Sequence, residues 1–191
     1  DLYEGEQIYN DAAKWILSRL SQTVEKIHSA FDEYRFDWIA QTLYEFTWNE
    51  YCDWFLELTK PTLFSPLASE AEKRGSLNVL ILVLENILLL SHPLMPYITE
   101  EIWQTMKPHT RKQGASIMLE AYPKVNAEWL NASIETDITW LQQIIVAIRN
   151  IRGEMQISPA KTIPLMLRHP AQKTQQRFQQ YQHYVQFLAK I

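Results

Sequence analysis

A chain of 191 residues with 47% hydrophobic and 12% aromatic side chains can build one medium-sized domain, or a domain with a small appendage, and is excluded from the disordered class. Four glycines are too few for a fold rich in tight β-turns, and the single cysteine, Cys52, excludes an internal disulfide and favours a reducing, cytoplasmic setting. The net charge of −4 is unevenly spread: residues 1–60 carry 5 Lys and Arg against 12 Asp and Glu, whereas residues 161–191 carry 5 and none, so any nucleic-acid contact must come from localised basic groups. The chain starts at Asp1 without a methionine or a signal peptide, so it is expected to be a segment of a longer protein.

In chain order, residues 11–31 predict an amphipathic helix, with Trp15, Ile16, Leu20, Val24 and Ile27 at three- and four-residue spacings. A second helix is expected from about Arg35 to Thr59. It shows two apolar stripes, one of Phe36, Ile39, Leu43 and Phe46 and another of Tyr44, Trp48, Tyr51, Phe55 and Leu58, and it should stop before Pro61. Residues 61–75 read as a connector with the charged tail Glu70 to Arg74. A third helix, about Ser76 to Ser91, is apolar nearly all round; Glu85, Asn86 and the terminal His92-Pro93 make it a buried helix rather than a membrane span. A fourth follows Pro96 to about Met106, with Ile98, Ile102, Trp103 and Met106 as its core face.

Residues 107–127 look irregular. A fifth helix from about Ala132 to Met155 presents Leu141, Ile144, Ile145, Ile148 and Ile151. Beyond a boundary placed near 157–160, Thr162 to Arg168 reads as a strand and Ala171 to Lys190 as a weakly basic helix. The expected fold is therefore all-α: a bundle of about five helices over 1–157, followed at 158–191 by a short, incomplete strand–helix element.

Chemistry is sparse. The five histidines show no metal-ligand spacing with each other or with Cys52, and neither a glycine-rich phosphate loop nor a nucleophile elbow occurs. Cys52 sits among aromatics, where a thiol is a small inert hydrophobe. Glu100 and Glu101 point to different helix faces and read as solvated. Two features could meet RNA. Gln41, Glu45, Asn49, Asp53 and Glu57 recur every fourth residue, a stripe that is either solvent-facing or lines a groove for base edges. Arg149 and Arg152 lie one turn apart, either as a phosphate clamp or as partners in surface or interdomain ion pairs.

Six stretches in register carry a resemblance: AAKWILSRL (12–20), YRFD (34–37), LYEFTWNEYCDWFLELTKP (43–61), HPLMPYITEEIW (92–103), SIMLEAYP (116–123) and IRNIRGEMQISPAK (148–161). Together they resemble the valyl-tRNA synthetase family of class I aminoacyl-tRNA synthetases. The fourth pattern is shared with the isoleucine and leucine relatives, and the third and sixth point to the valine member. The resemblance implies a helical anticodon-binding domain and the start of a C-terminal segment leading to a coiled coil. Its partners would be the anticodon stem-loop of tRNA(Val) and the catalytic domain of the same chain, with no membrane.

The HIGH-like and KMSKS-like motifs of the family have no match, so the segment itself is expected to be non-catalytic and without a cofactor, ATP and Mg belonging to the catalytic domain. A helix preceding Asp1 would supply one wall of the anticodon pocket. Matching along CDWFL places an anticodon-loop contact at Leu56, with Asn49, Asp53 and Lys60 as neighbouring candidates and Arg149 and Arg152 as the phosphate candidates. The alternatives are the equivalent domain of an isoleucyl-tRNA synthetase, or a helical protein-interaction scaffold with no RNA role.

Overall fold

A computed structural model of the chain describes residues 4–158 and 160–191. Among these residues the regular structure is entirely helical, which bears out the all-α class. The chain divides into two compact units, one reaching to Asn131 and the other Ala132–Ile191. This division falls ahead of the fifth predicted helix, not at the change of character near 157–160, because that helix packs with the one that follows it.

The first unit is organised around α1, Asp11–Asp32. The Asn10 side chain accepts from the Ala13 N–H (2.9 Å), satisfying one donor of the first turn. The predicted stripe of Trp15, Ile16, Leu20, Val24 and Ile27 is buried throughout. Against α1 lies one long helical rod in three parts: α2 (Phe36–Tyr44), a π-helical segment (Glu45–Phe55) and α3 (Leu56–Leu63). Pro61 does not end it. A proline removes one N–H and crowds the preceding turn, yet here it falls in the last turn of α3, which runs on to Leu63.

The next helix, α4 (Glu70–Ser91), starts earlier than expected. The Ser69 hydroxyl accepts from the Glu72 N–H (3.2 Å) while the Glu72 carboxylate accepts from the Ser69 N–H (2.8 Å), so the charged tail assigned to a connector forms the first turn. The Ser69 N–H and, in second place, the Ser69 hydroxyl (2.8 Å) donate to the Glu72 carboxylate and hold it below its usual range. By length and composition α4 could cross a membrane, but most of its apolar stretch is buried within this unit. The Ile8 N–H donates to the Ala71 carbonyl (3.1 Å) as the N-terminal segment crosses α4. A Cβ on Gly75 would stand 2.2 Å from the Ile8 carbonyl oxygen, so the crossing requires glycine.

The helix α5 spans Pro96–Met106, as predicted. Its core face is Thr99, Trp103 and Met106; Ile98 and Ile102, expected inside, are 54% and 40% exposed. Three short 3₁₀ turns punctuate the irregular stretch that follows. Glu100, expected to be solvated, instead accepts from the Ser116 hydroxyl (2.7 Å) and the Ile117 N–H (3.1 Å) and ties that stretch to α5.

The second unit pairs α6 (Ala132–Glu154) with α7 (Gln172–Ala189). The inner face of α6 is Ile138, Leu141, Ile145, Ile148 and Arg152, so Ile151, at 52% exposed, is not on it. Arg177 donates to Asp137 (2.7 Å) and fixes the pair in register. The strand expected at 162–168 does not form. Among the described residues it has no ladder partner, and the segment runs as irregular chain, with the Ile163 N–H donating to the Lys190 carbonyl (3.2 Å).

Candidate nucleic-acid interface

The rod from Phe36 to Leu63 carries four of the six candidate residues, and its register decides which way they face. Its buried residues are Ile39, Leu43, Phe46, Tyr51, Phe55, Leu58 and Thr59. The five-residue step from Phe46 to Tyr51 is the mark of i→i+5 bonding, which winds more slowly than the 3.6 residues of an α-turn. The two stripes read from the sequence therefore merge into one. Ile39, Leu43 and Phe46 come from the first and Tyr51, Phe55 and Leu58 from the second, while Phe36 (55%), Tyr44 (64%) and Trp48 (55%) stand exposed.

Anchors hold this register. Arg19 on α1 makes a two-pronged pair with Glu50, both bonds 2.8 Å, and the Tyr51 hydroxyl donates to the Leu80 carbonyl on α4 (3.1 Å). Burial of Tyr51 pushes its hydroxyl well above the ordinary tyrosine value, so it stays a neutral donor. Burial likewise raises the Cys52 thiol, helped by Asp53, which keeps it protonated and unreactive.

The opposite side of the rod is polar and open. Gln41, Glu45, Asn49 and Asp53 are all exposed and Glu57 half-buried, so the every-fourth-residue stripe faces solvent through the π segment. The Gln41 amide donates to Glu45 (2.8 Å). Leu56 is half-buried, and Lys60, also half-buried, is ion-paired to Glu57 one turn earlier. Asn49, Asp53, Leu56 and Lys60 thus lie within three turns of one element, an amide, a carboxylate, an apolar group and a compensated ammonium.

Arg149 and Arg152, in the second unit, do not form a clamp. The Arg152 guanidinium is buried: Nη1 donates to the carbonyls of Ala189 (3.3 Å) and Lys190 (3.1 Å), and Nη2 to those of Ser158 and Lys161 (both 2.6 Å). These acceptors lie at the end of α7 and in the loop before it, where a cation at a helix C-terminus is favoured. Lys190 closes the helix with a left-handed φ of 55°. Arg149 is exposed and places one N–H on the Leu188 carbonyl (3.1 Å). Spacing identified the two arginines but could not foresee carbonyls delivered from almost forty residues away.

Among the described residues no group of three His, Cys, Asp or Glu comes together as a metal site. His28 Nε2 lies 2.9 Å from the Pro123 carbonyl, and His92 Nδ1 lies 2.7 Å from the Thr99 hydroxyl, both structural contacts.

Residues 13–167 match the family described as the anticodon-binding domain of tRNA ligase. The chain belongs to that family. Over all 191 residues the chain is 52% identical to the valine–tRNA ligase of Legionella pneumophila (strain Lens), covering 21% of that relative. Over 183 residues, 96% of the chain, it is 45% identical to the valine–tRNA ligase of Coxiella burnetii (strain RSA 493 / Nine Mile phase I), covering 20% of it. The domain therefore spans about a fifth of the length of these relatives, and the resemblance carried by the six sequence stretches is borne out. The family match takes in the whole π-bearing rod and both arginines of the corner, and ends before α7.

Proposed function

We propose that this chain binds the anticodon stem-loop of a valine tRNA, as the tRNA-selecting part of a cytoplasmic valine–tRNA ligase. The observation that carries the reading is identity of about half over the whole chain to valine–tRNA ligases, within a family named for anticodon binding. Ligation itself, with ATP and Mg, falls to parts of such enzymes that this chain does not span. The open side of the rod supplies chemistry for unstacked bases. The Asn49 amide can donate and accept on a base edge, Asp53 can accept from an exocyclic amino group, and Leu56 offers an apolar contact. Glu45, Asp53 and Glu57 make this side unfavourable for phosphates, so recognition there runs through bases, with Lys60 moderating the charge. Arg149 remains a candidate phosphate contact; Arg152 is buried, with both Nη groups committed to four carbonyls.

Titration of the chain with tRNAs for valine and isoleucine tests the reading. Preference for the valine tRNA, weakened about tenfold by Leu56→Ala, is expected. Preference for isoleucine tRNA would transfer the assignment to the isoleucine relative, and binding of neither would favour a protein-interaction scaffold.

A further inference from the structure

The irregular stretch after α5 concentrates positive charge that its surroundings lack. Within six residues it carries Lys107, His109, Arg111 and Lys112, in a chain of net charge −4. Two of these cations build the loop. The Lys107 ammonium donates to the Gly114 carbonyl (2.6 Å) and sits 5.5 Å from the centroid of the Trp103 ring; Lys112 pairs with Glu120 (3.1 Å) and reaches the buried Glu85 at 3.8 Å. The Thr110 N–H and hydroxyl both donate to the Lys107 carbonyl (2.9 Å each), and the Lys112 N–H donates to the Thr110 hydroxyl (3.1 Å). A Cβ on Gly114 would lie 2.4 Å from a Glu120 carboxylate oxygen, so the close approach that shapes the loop is specific to glycine. The nearby carboxylates, Glu85, Glu100 and Glu120, are thereby engaged in holding it.

What results is an open concavity of about 450 Å³ lined by Gln104, Lys107, Thr110, Arg111, Lys112 and Gln113, with no carboxylate among the described residues of its wall. Three cationic side chains, Lys107, Arg111 and Lys112, on the wall of one open hollow match a phosphodiester, whose oxygens accept several charge-assisted bonds at once. We propose that the 107–113 loop holds a backbone phosphate of the bound tRNA, a contact that positions the RNA without reading its sequence. This rests on the tRNA-binding reading above. It assigns the electrostatic part of binding to this loop and leaves base readout to the acidic rod.

The test is a salt titration of tRNA binding by the full 191-residue chain. Arg111→Gln, at an exposed position, is expected to weaken binding three- to tenfold at low salt, to the same factor for every tRNA, and to lower the slope of log affinity against log salt by about one. Arg111→Lys should restore the slope, and Lys26→Gln, an exposed cation on α1, should leave it unchanged. An unaltered slope in Arg111→Gln, or an equal loss in Lys26→Gln, overturns the proposal. Inorganic phosphate at constant ionic strength separates the two sources of the anion. Weak competition supports an RNA phosphate, whereas Arg111-dependent displacement of tRNA by submillimolar phosphate would reassign the hollow to a free anion. Binding that Leu56→Ala weakens and Arg111→Gln does not would sink this inference alone; no tRNA binding at all would sink the anticodon reading with it.

Discussion

The π-bearing rod of the first unit and the arginine corner of the second are both RNA candidates as sequence, and the fold treats them in opposite ways. On the rod, core residues take one face and the amide and carboxylate groups are left facing water. In the corner, the most strongly donating side chain is turned on the chain's own carbonyls. The difference lies in supply. A side chain near an unsatisfied helix end is recruited by it, because a buried bare carbonyl costs about 1–3 kcal/mol, whereas a side chain on a fully bonded helical face has nothing internal to satisfy. Availability for a ligand is thus decided by the bonding state of the surrounding backbone, not by residue type.

Four measurements bear on this contrast. The largest effect should come from the rod's closed face: Phe55→Ala, at a fully buried site, is expected to cost about 3–5 kcal/mol in urea unfolding, against under about 0.5 kcal/mol for the exposed Trp48→Ala. Equal losses would show that the two-stripe register survives in solution. Next, Arg152→Met removes a buried donor from each of four carbonyls and should destabilise the second unit by about 3 kcal/mol, with Arg152→Lys recovering less than half, since an ammonium lacks the planar fork. Weakened tRNA binding with unchanged stability would instead restore the clamp and erase the contrast.

Gly75→Ala, by pushing the Ile8 crossing off α4, should lower thermal stability by about 1–2 kcal/mol despite alanine's better helix propensity; a gain would show that the N-terminal segment is undocked. The smallest effect concerns the cap of α4. Its depressed Glu72 carboxyl contributes stability that is present above pH 4.5 and lost as the pH falls through the folded-state value. Ser69→Ala should cost about 1 kcal/mol at pH 7 and flatten that acid limb of the stability profile. An unflattened limb would assign it to other carboxylates.

Periodicity exposed the all-α class and the ends of α1 and α5, because apolar spacing and proline punctuation are local signals. The start of α4 was legible too, in Ser69 and Glu72, but the charge run that follows resembled a connector. The π register was not legible in advance, since an α-period was imposed on a segment that does not have it; only the five-residue gap between Phe46 and Tyr51 betrays it. Arg152 depends on carbonyls distant in sequence, and the 107–113 hollow on an irregular loop without a period, so no spacing rule reaches either. Of the candidate site, the open placement of Asn49 and Asp53 was foreseen as one of two outcomes for the polar stripe, and the comparisons bear out the family to which the stripe belongs.

The slow winding between Glu45 and Phe55 has a consequence for how such chains can change length. Over 11 residues it falls roughly half a turn behind an α-helix, so it stores surplus chain while keeping both ends in phase with the core. A deletion there can be absorbed by tightening toward α geometry. The same deletion near Gly75 in α4, where the crossing backbone fixes one residue in place, would rotate every later side chain by about 100° and drive the helix's polar edge into the core. Insertions and deletions in this family should therefore be tolerated in the rod and purged from α4.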